Sequence, residues 1–122
     1  MEAVLTARQM RRLRRRVIAR KRNEPPVLTV GEEAFNAVSH GLGAALAAAA
    51  TVLLLARSDT GLKVMASCFY GVSMFLMMLM SSVYHAMPTG STAKRVCRRF
   101  DYTSIYLLIG GTFAPILLLY VG

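Results

Sequence analysis

No polar face runs through Ala44–Leu55 or Met74–Met80 at any helical or strand period. That absence excludes an ordinary soluble helical core, whose surface helices carry a polar side opposite the apolar one. Cysteine is scarce too. Cys68 stands within an apolar stretch and Cys97 in a basic segment, placed so that they do not meet, and no disulfide is expected. Acids are nearly missing from the start of the chain: residues 1–23 hold Glu2 alone against nine basic side chains, Arg8, Arg11, Arg12, Arg14, Arg15, Arg16, Arg20, Lys21 and Arg22. No apolar run follows these charges before a full-length span, so the segment is not a secretory signal. Its low serine content argues against an organellar transit peptide.

Three apolar stretches are what the chain does have, at Ala37–Ala56, Val64–Ala86 and Tyr102–Gly122. Each is about 20 residues long, the length at which a helix crosses the ~30 Å hydrocarbon core of a bilayer. The 55% hydrophobic composition exceeds the ~45–50% of an ordinary soluble domain. The expected fold is therefore all-α: an integral membrane bundle of three transmembrane helices behind a basic N-terminal tail. The tail covers residues 1–31 and the membrane domain residues 32–122. Met10, Leu13 and Val17 fall at helical spacing, so the tail is expected to lie on the membrane as an amphipathic segment. Anionic lipid headgroups, worth about 1 kcal/mol per basic residue near the surface, are its expected partner. Nucleic acid, whose phosphates ask only for positive charge, is not expected beside a membrane domain.

Lys and Arg also set orientation. Nine precede the first span, two lie in Arg57–Lys63 and four in Met87–Phe100. The N-terminus and second loop are thus expected in the cytoplasm, the first loop and residue 122 outside, in a multi-pass protein of the plasma (inner) membrane. Asp59 and Gly61 suit a tight turn, and Pro88 with Gly90 a break after the second helix. Gly110, Gly111 and Ala114 allow close helix approach, and Pro115 is expected to kink the third span.

Each apolar stretch has an ionisable residue near one end: His40, His85 and Asp101. The expected topology brings all three to a similar depth at the cytoplasmic side. A charged group in hydrocarbon costs at least ~2.5–3.5 kcal/mol, so such residues face protein or water and mark function. Glu33, Asn36 and His40, at i, i+3 and i+7, share one helix face. Ser81 and His85, at i and i+4, share another. A histidine, a carboxylate and a hydroxyl facing one interior are parts of a Zn²⁺ site with an activated water, with Ser81 or Asn36 as supporting groups. Spacing alone equally suits interfacial groups that bond between helices or reach the headgroups.

E-x2-N-x3-H at Glu33–His40, S-x3-H at Ser81–His85, the run FYGVSMFLMMLMSSVYHAMP (Phe69–Pro88) and the run RRFDYTSIYLLIGGTFAP (Arg98–Pro115) resemble the bacterial hemolysin III family. That family is related to the progestin and adipoQ receptors and more distantly to alkaline ceramidases. The resemblance covers residues 32–121. It implies a seven-helix membrane protein with zinc at its cytoplasmic side. It also implies His85 as a metal ligand, Asp101 acting through metal-bound water, Ser81 as the neighbouring hydroxyl, and Glu33, Asn36 and His40 as structural or site support. The family's H-x3-H pair has no counterpart here, since His40 and His85 are the chain's two histidines. The expected zinc site is incomplete, and the chain reads as the first three of seven spans, with a complementary C-terminal fragment as a candidate partner. For full-length relatives the resemblance implies zinc-dependent hydrolysis of a lipid amide or ester, or a lipid-responsive receptor. The alternatives are a pore-forming protein and a non-functional fragment.

Overall fold

A computed structural model describes residues 6–22, 24 and 26–121. Four helices follow one another: α1 (Ala7–Arg22), α2 (Val30–Ala56), α3 (Gly61–Ala86) and α4 (Thr92–Ile116), the last continuing into a π-helical turn, Leu117–Val121. Among the described residues three helices are long and apolar enough to cross a membrane: Val30–Ala56, Gly61–Ala86 and Thr92–Val121. With 1.5 Å of rise per residue each is roughly 40 Å long, so their ends extend past the hydrocarbon into the headgroup region.

Each helix begins before its apolar stretch, because capping rather than hydropathy fixes the start. Thr29 and Glu32 form a reciprocal capping box ahead of α2, with the Thr29 N–H donating to Glu32 Oε2 at 2.8 Å. Thr60 caps α3 and Ser91 caps α4, accepting from the amides of Lys63 and Lys94. The basic segment expected to be a loop, Met87–Phe100, is a turn only as far as Ser91 and helix from Thr92 onward. Gly90 supplies the turn, with φ of +83° that a side chain would resist. Helix α4 runs through Pro115, and the wider π turn follows at once; a proline frees the carbonyl four residues earlier, here that of Gly111.

Helix α3 is the middle member, packing against α2 and against α4, whose own backbones do not approach each other. The packing is reversed from that of a soluble protein. The buried apolar residues are small, Ala44, Ala47 and Ala66, with Tyr84, while Phe35, Leu46, Val52, Phe69 and Tyr106 are exposed. Large apolar groups outside and small or polar groups inside is the arrangement expected where lipid is the solvent. Glycines set the closest approaches. A Cβ on Gly71 would overlap the Thr51 side chain, and one on Gly111 would overlap Ser73 and lie 2.8 Å from the Phe69 carbonyl oxygen. Gly110 faces open space, so of the small residues near Pro115 it is Gly111 that permits the α3–α4 contact. Both cysteines are free. Helix α1 carries Met10, Leu13 and Val17 about half exposed, and no described helix packs against it.

Candidate functional site

The up-down-up order of α2, α3 and α4 gathers the start of α2, the end of α3 and the start of α4 at one end of the bundle. Glu33 lies in the first turn of α2, His85 in the last turn of α3 and Lys94 in the first turn of α4. Their side chains meet. His85 Nδ1 lies 2.7 Å from Glu33 Oε2, and Lys94 Nζ lies 2.7 Å from Glu33 Oε1. The second approach is a charge contact whose angle is poor for a hydrogen bond, so Oε1 is matched in charge but has no aligned donor. Lys94 also donates to the Met87 carbonyl at 3.2 Å, one of the acceptors left open where a helix ends, and stands 4.9 Å from the centre of the Tyr84 ring. Tyr84 in turn packs against His85, ring centres 4.8 Å apart. Lys94 is fully buried and Glu33 is 8% exposed.

His40, two turns along α2 from Glu33, brings its ring to 5.9 Å from that of His85. Its Nδ1 is buried with no hydrogen-bond partner among the described residues. The two imidazoles of the chain are therefore neighbours. Glu33, Asn36 and His40 do share the face of α2 that meets α3, with Asn36 part-buried. Ser81 is buried one turn before His85. The hydroxyl that crosses between helices is instead that of Ser82, which donates to the Ala37 carbonyl at 2.7 Å.

Asp101 is part-buried on α4, seven residues beyond Lys94 and so about 10 Å further along the axis on the same face. No side-chain hydrogen bond or ion pair joins it to Glu33, His40 or His85. Its backbone carbonyl accepts from Ser104 Oγ at 2.6 Å. The single expected layer of His40, His85 and Asp101 thus resolves into two: Glu33, His85 and Lys94 at the rim, His40 and Asp101 deeper. A groove of about 690 Å³ between α3 and α4 lies away from this cluster; residues such as Val64, Phe69, Val72, Leu76, Tyr106 and Gly110 line it. Its wall is apolar, whereas the paired polar side chains lie in the rim cluster.

Lys94 is the residue that sequence reasoning misses, because Arg95, Arg98 and Arg99 beside it make the whole segment look like a basic loop. The signal is in the helical phase of α4. Stepping back from Gly111 through Leu108, Ser104, Asp101 and Cys97 follows one face and arrives at Lys94.

These helices and this internal polar cluster define a polytopic helical membrane protein. Residues 28–122 match the family model described as Haemolysin-III related, and the chain belongs to that family. It is 40% identical over 93 residues to Hemolysin-3 of Bacillus cereus, covering 74% of this chain and 42% of the relative. It is 35% identical over 95 residues to the Hemolysin-3 homolog of Bacillus subtilis (strain 168), covering 75% of this chain and 44% of the relative. The chain spans less than half the length of these relatives. No solved structure matches it.

Proposed function

We propose that His85, oriented by Glu33, is one ligating arm of a zinc site in a membrane hydrolase that cleaves an amide or ester bond in a lipid. The observation that carries this reading is the 2.7 Å contact between His85 Nδ1 and Glu33. A metal-binding histidine characteristically donates its other ring N–H to a carboxylate, which fixes the tautomer and orientation. Here that arrangement leaves Nε2 as the free lone pair. His40, with its unpartnered buried Nδ1, is the nearest further nitrogen donor.

Among the described residues no three His, Cys, Asp or Glu side chains converge on one point, whereas a catalytic zinc commonly takes three protein ligands. On this proposal the remaining donors belong to other segments, in the same protein or in a complementary fragment. Bound zinc supplies a Lewis acid and lowers the pKa of a coordinated water. Within this chain Glu33 sets the His85 ring, and Asp101, deeper on α4, is the carboxylate available to handle a proton. The proposed orientation places this end of the bundle in the cytoplasm, with α1 lying against anionic headgroups.

A pore, which the relatives' name suggests, would call for polar groups along a whole span. The His, Asp and Glu side chains of the described spans gather at the Glu33 end instead. Cobalt titration of the purified chain in detergent tests the metal reading. Weak absorption bands, well under one ion per chain at micromolar metal and abolished by His85→Ala, are expected. Equal binding by wild type and H85A would overturn it, and stoichiometric binding lost on His40→Ala would make His40 a full ligand.

A further inference from the structure

Glu33 is held from two sides, and only one of them is a histidine. Among the described residues Lys94 is the fully buried large side chain, and burying an ammonium is tolerated only where it is paired and bonded. Its three surroundings come from two other helices: the Glu33 carboxylate of α2 at 2.7 Å, and from α3 both the closing Met87 carbonyl at 3.2 Å and the face of Tyr84. Its own backbone N–H is bound by the Ser91 hydroxyl at 3.0 Å, so the side chain departs from a capped and fixed helix start. A carboxylate can rotate about its last torsion with little preference. With one oxygen drawn to the Lys94 charge at 2.7 Å, the other is turned to His85 Nδ1, also at 2.7 Å.

We propose that Lys94 is the positioning residue of this site. It anchors Glu33 so that the carboxylate accepts from His85 Nδ1–H, which leaves Nε2 unprotonated and facing away from Glu33. It also matches the carboxylate's charge, so Glu33 presents His85 with an oriented acceptor rather than an unbalanced anion. The role builds on the reading of His85 as a ligating arm, but the tautomer exists without metal and is measured without it. Failure of the cobalt experiment and failure of this one are therefore separate results.

The chain's two histidines make the measurement direct. Nitrogen-15 spectra of histidine-labelled protein in micelles, taken at mildly alkaline pH and assigned with His40→Ala, report which ring nitrogen of His85 carries the proton. Wild type is expected to show protonated Nδ1 and unprotonated Nε2. In Lys94→Met the His85 signals should move to the protonated-Nε2 pattern, or to a mixture, while Lys94→Arg, which can still reach Glu33, keeps the wild-type pattern. Glu33→Gln should shift His85 as K94M does. A folded K94M with the wild-type tautomer would overturn the proposal. So would a K94R that is folded yet loses it, since a cation alone would then not suffice. Should K94M lose its helical circular dichroism, Lys94→Gln is read in its place. Loss of Nδ1–H there supports the proposal, and its retention overturns it. A residue that only stabilised the bundle would alter unfolding without moving the proton between the two nitrogens.

Discussion

Two lysine–carboxylate pairs stand at opposite ends of this bundle, nearly equal in length and opposite in setting. Lys63 and Asp59 meet at 2.8 Å with side chains 48% and 69% exposed. Lys94 and Glu33 meet at 2.7 Å with side chains 0% and 10% exposed. The first joins residues one turn apart, at the start of α3; water competes for both groups, and such pairs contribute little. The second joins two helices whose backbones do not touch, and it is buried. Removing one partner there leaves a buried charge with nothing to balance it. Bond length therefore says almost nothing about importance; burial and the separation of the two partners along the chain say most of it.

Single substitutions should break the symmetry of that comparison most strongly at the Glu33 end. Glu33→Ala or Lys94→Met should each destabilise the bundle by about 3–5 kcal/mol, the range for orphaning a buried charge. The double change Glu33→Met with Lys94→Met should recover much of that loss. Unfolding in mixed micelles followed by circular dichroism measures it, and additive losses in the double variant would show that the two groups act independently.

The same end carries the basic tail: Arg98 Nη1 donates to the Glu24 carbonyl at 2.7 Å, tying the segment after α1 to α4. If α1 lies on anionic lipid, Arg12, Arg15 and Arg16 changed together to Gln should weaken the binding of the tail to phosphatidylserine-containing vesicles by ~3 kcal/mol, from about 1 kcal/mol each. The loss should shrink as salt rises. A salt-independent change would assign the effect to packing.

Between the two ends the helices are held by shape. Gly111→Leu should cost about 1–3 kcal/mol through overpacking, because its side chain would have to displace Ser73 and the backbone at Phe69. Gly110→Leu, facing open space, should leave the unfolding midpoint where it is. Equal effects would mean that the α3–α4 approach is not the one described.

The smallest effect belongs to Asp59. The hydrogen bond and charge of Lys63 hold its carboxyl below the usual range. Stabilisation from a lowered carboxyl pKa is complete above the unfolded value and fades as pH falls through the folded one. Asp59→Asn should therefore match wild type in strong acid and differ from it at most slightly at neutral pH. A clear difference at neutral pH in a thermal melt would show the exposed pair to be stronger than its setting allows.

Hydropathy alone marks the three spans, and helical spacing alone puts Glu33, Asn36 and His40 on one face and Ser81 with His85 on another. The helix starts are less legible, since Thr29, Thr60 and Ser91 act through single hydroxyls that an average over twenty residues cannot register. Lys94 is hidden for a related reason. Counting charges treats it as equivalent to Arg95, Arg98 and Arg99, and only the phase of α4 sets the fully buried cation apart from those half-buried or exposed. Glu33 reads as a supporting group by motif, whereas geometry makes it the hub, because a carboxylate has two oxygens and the sequence does not show that both are used.

The order of the partners along the chain gives the cluster a history. A ribosome adding about 5–20 residues per second makes Glu33 first, His85 next and Lys94 shortly after. For the roughly 0.5–2 s that separate the synthesis of His85 and Lys94 at that rate, the carboxylate has an imidazole in the chain but no ammonium. The cation that completes the trio arrives at the head of α4, so the third of these spans to enter is also the one that locks the first two.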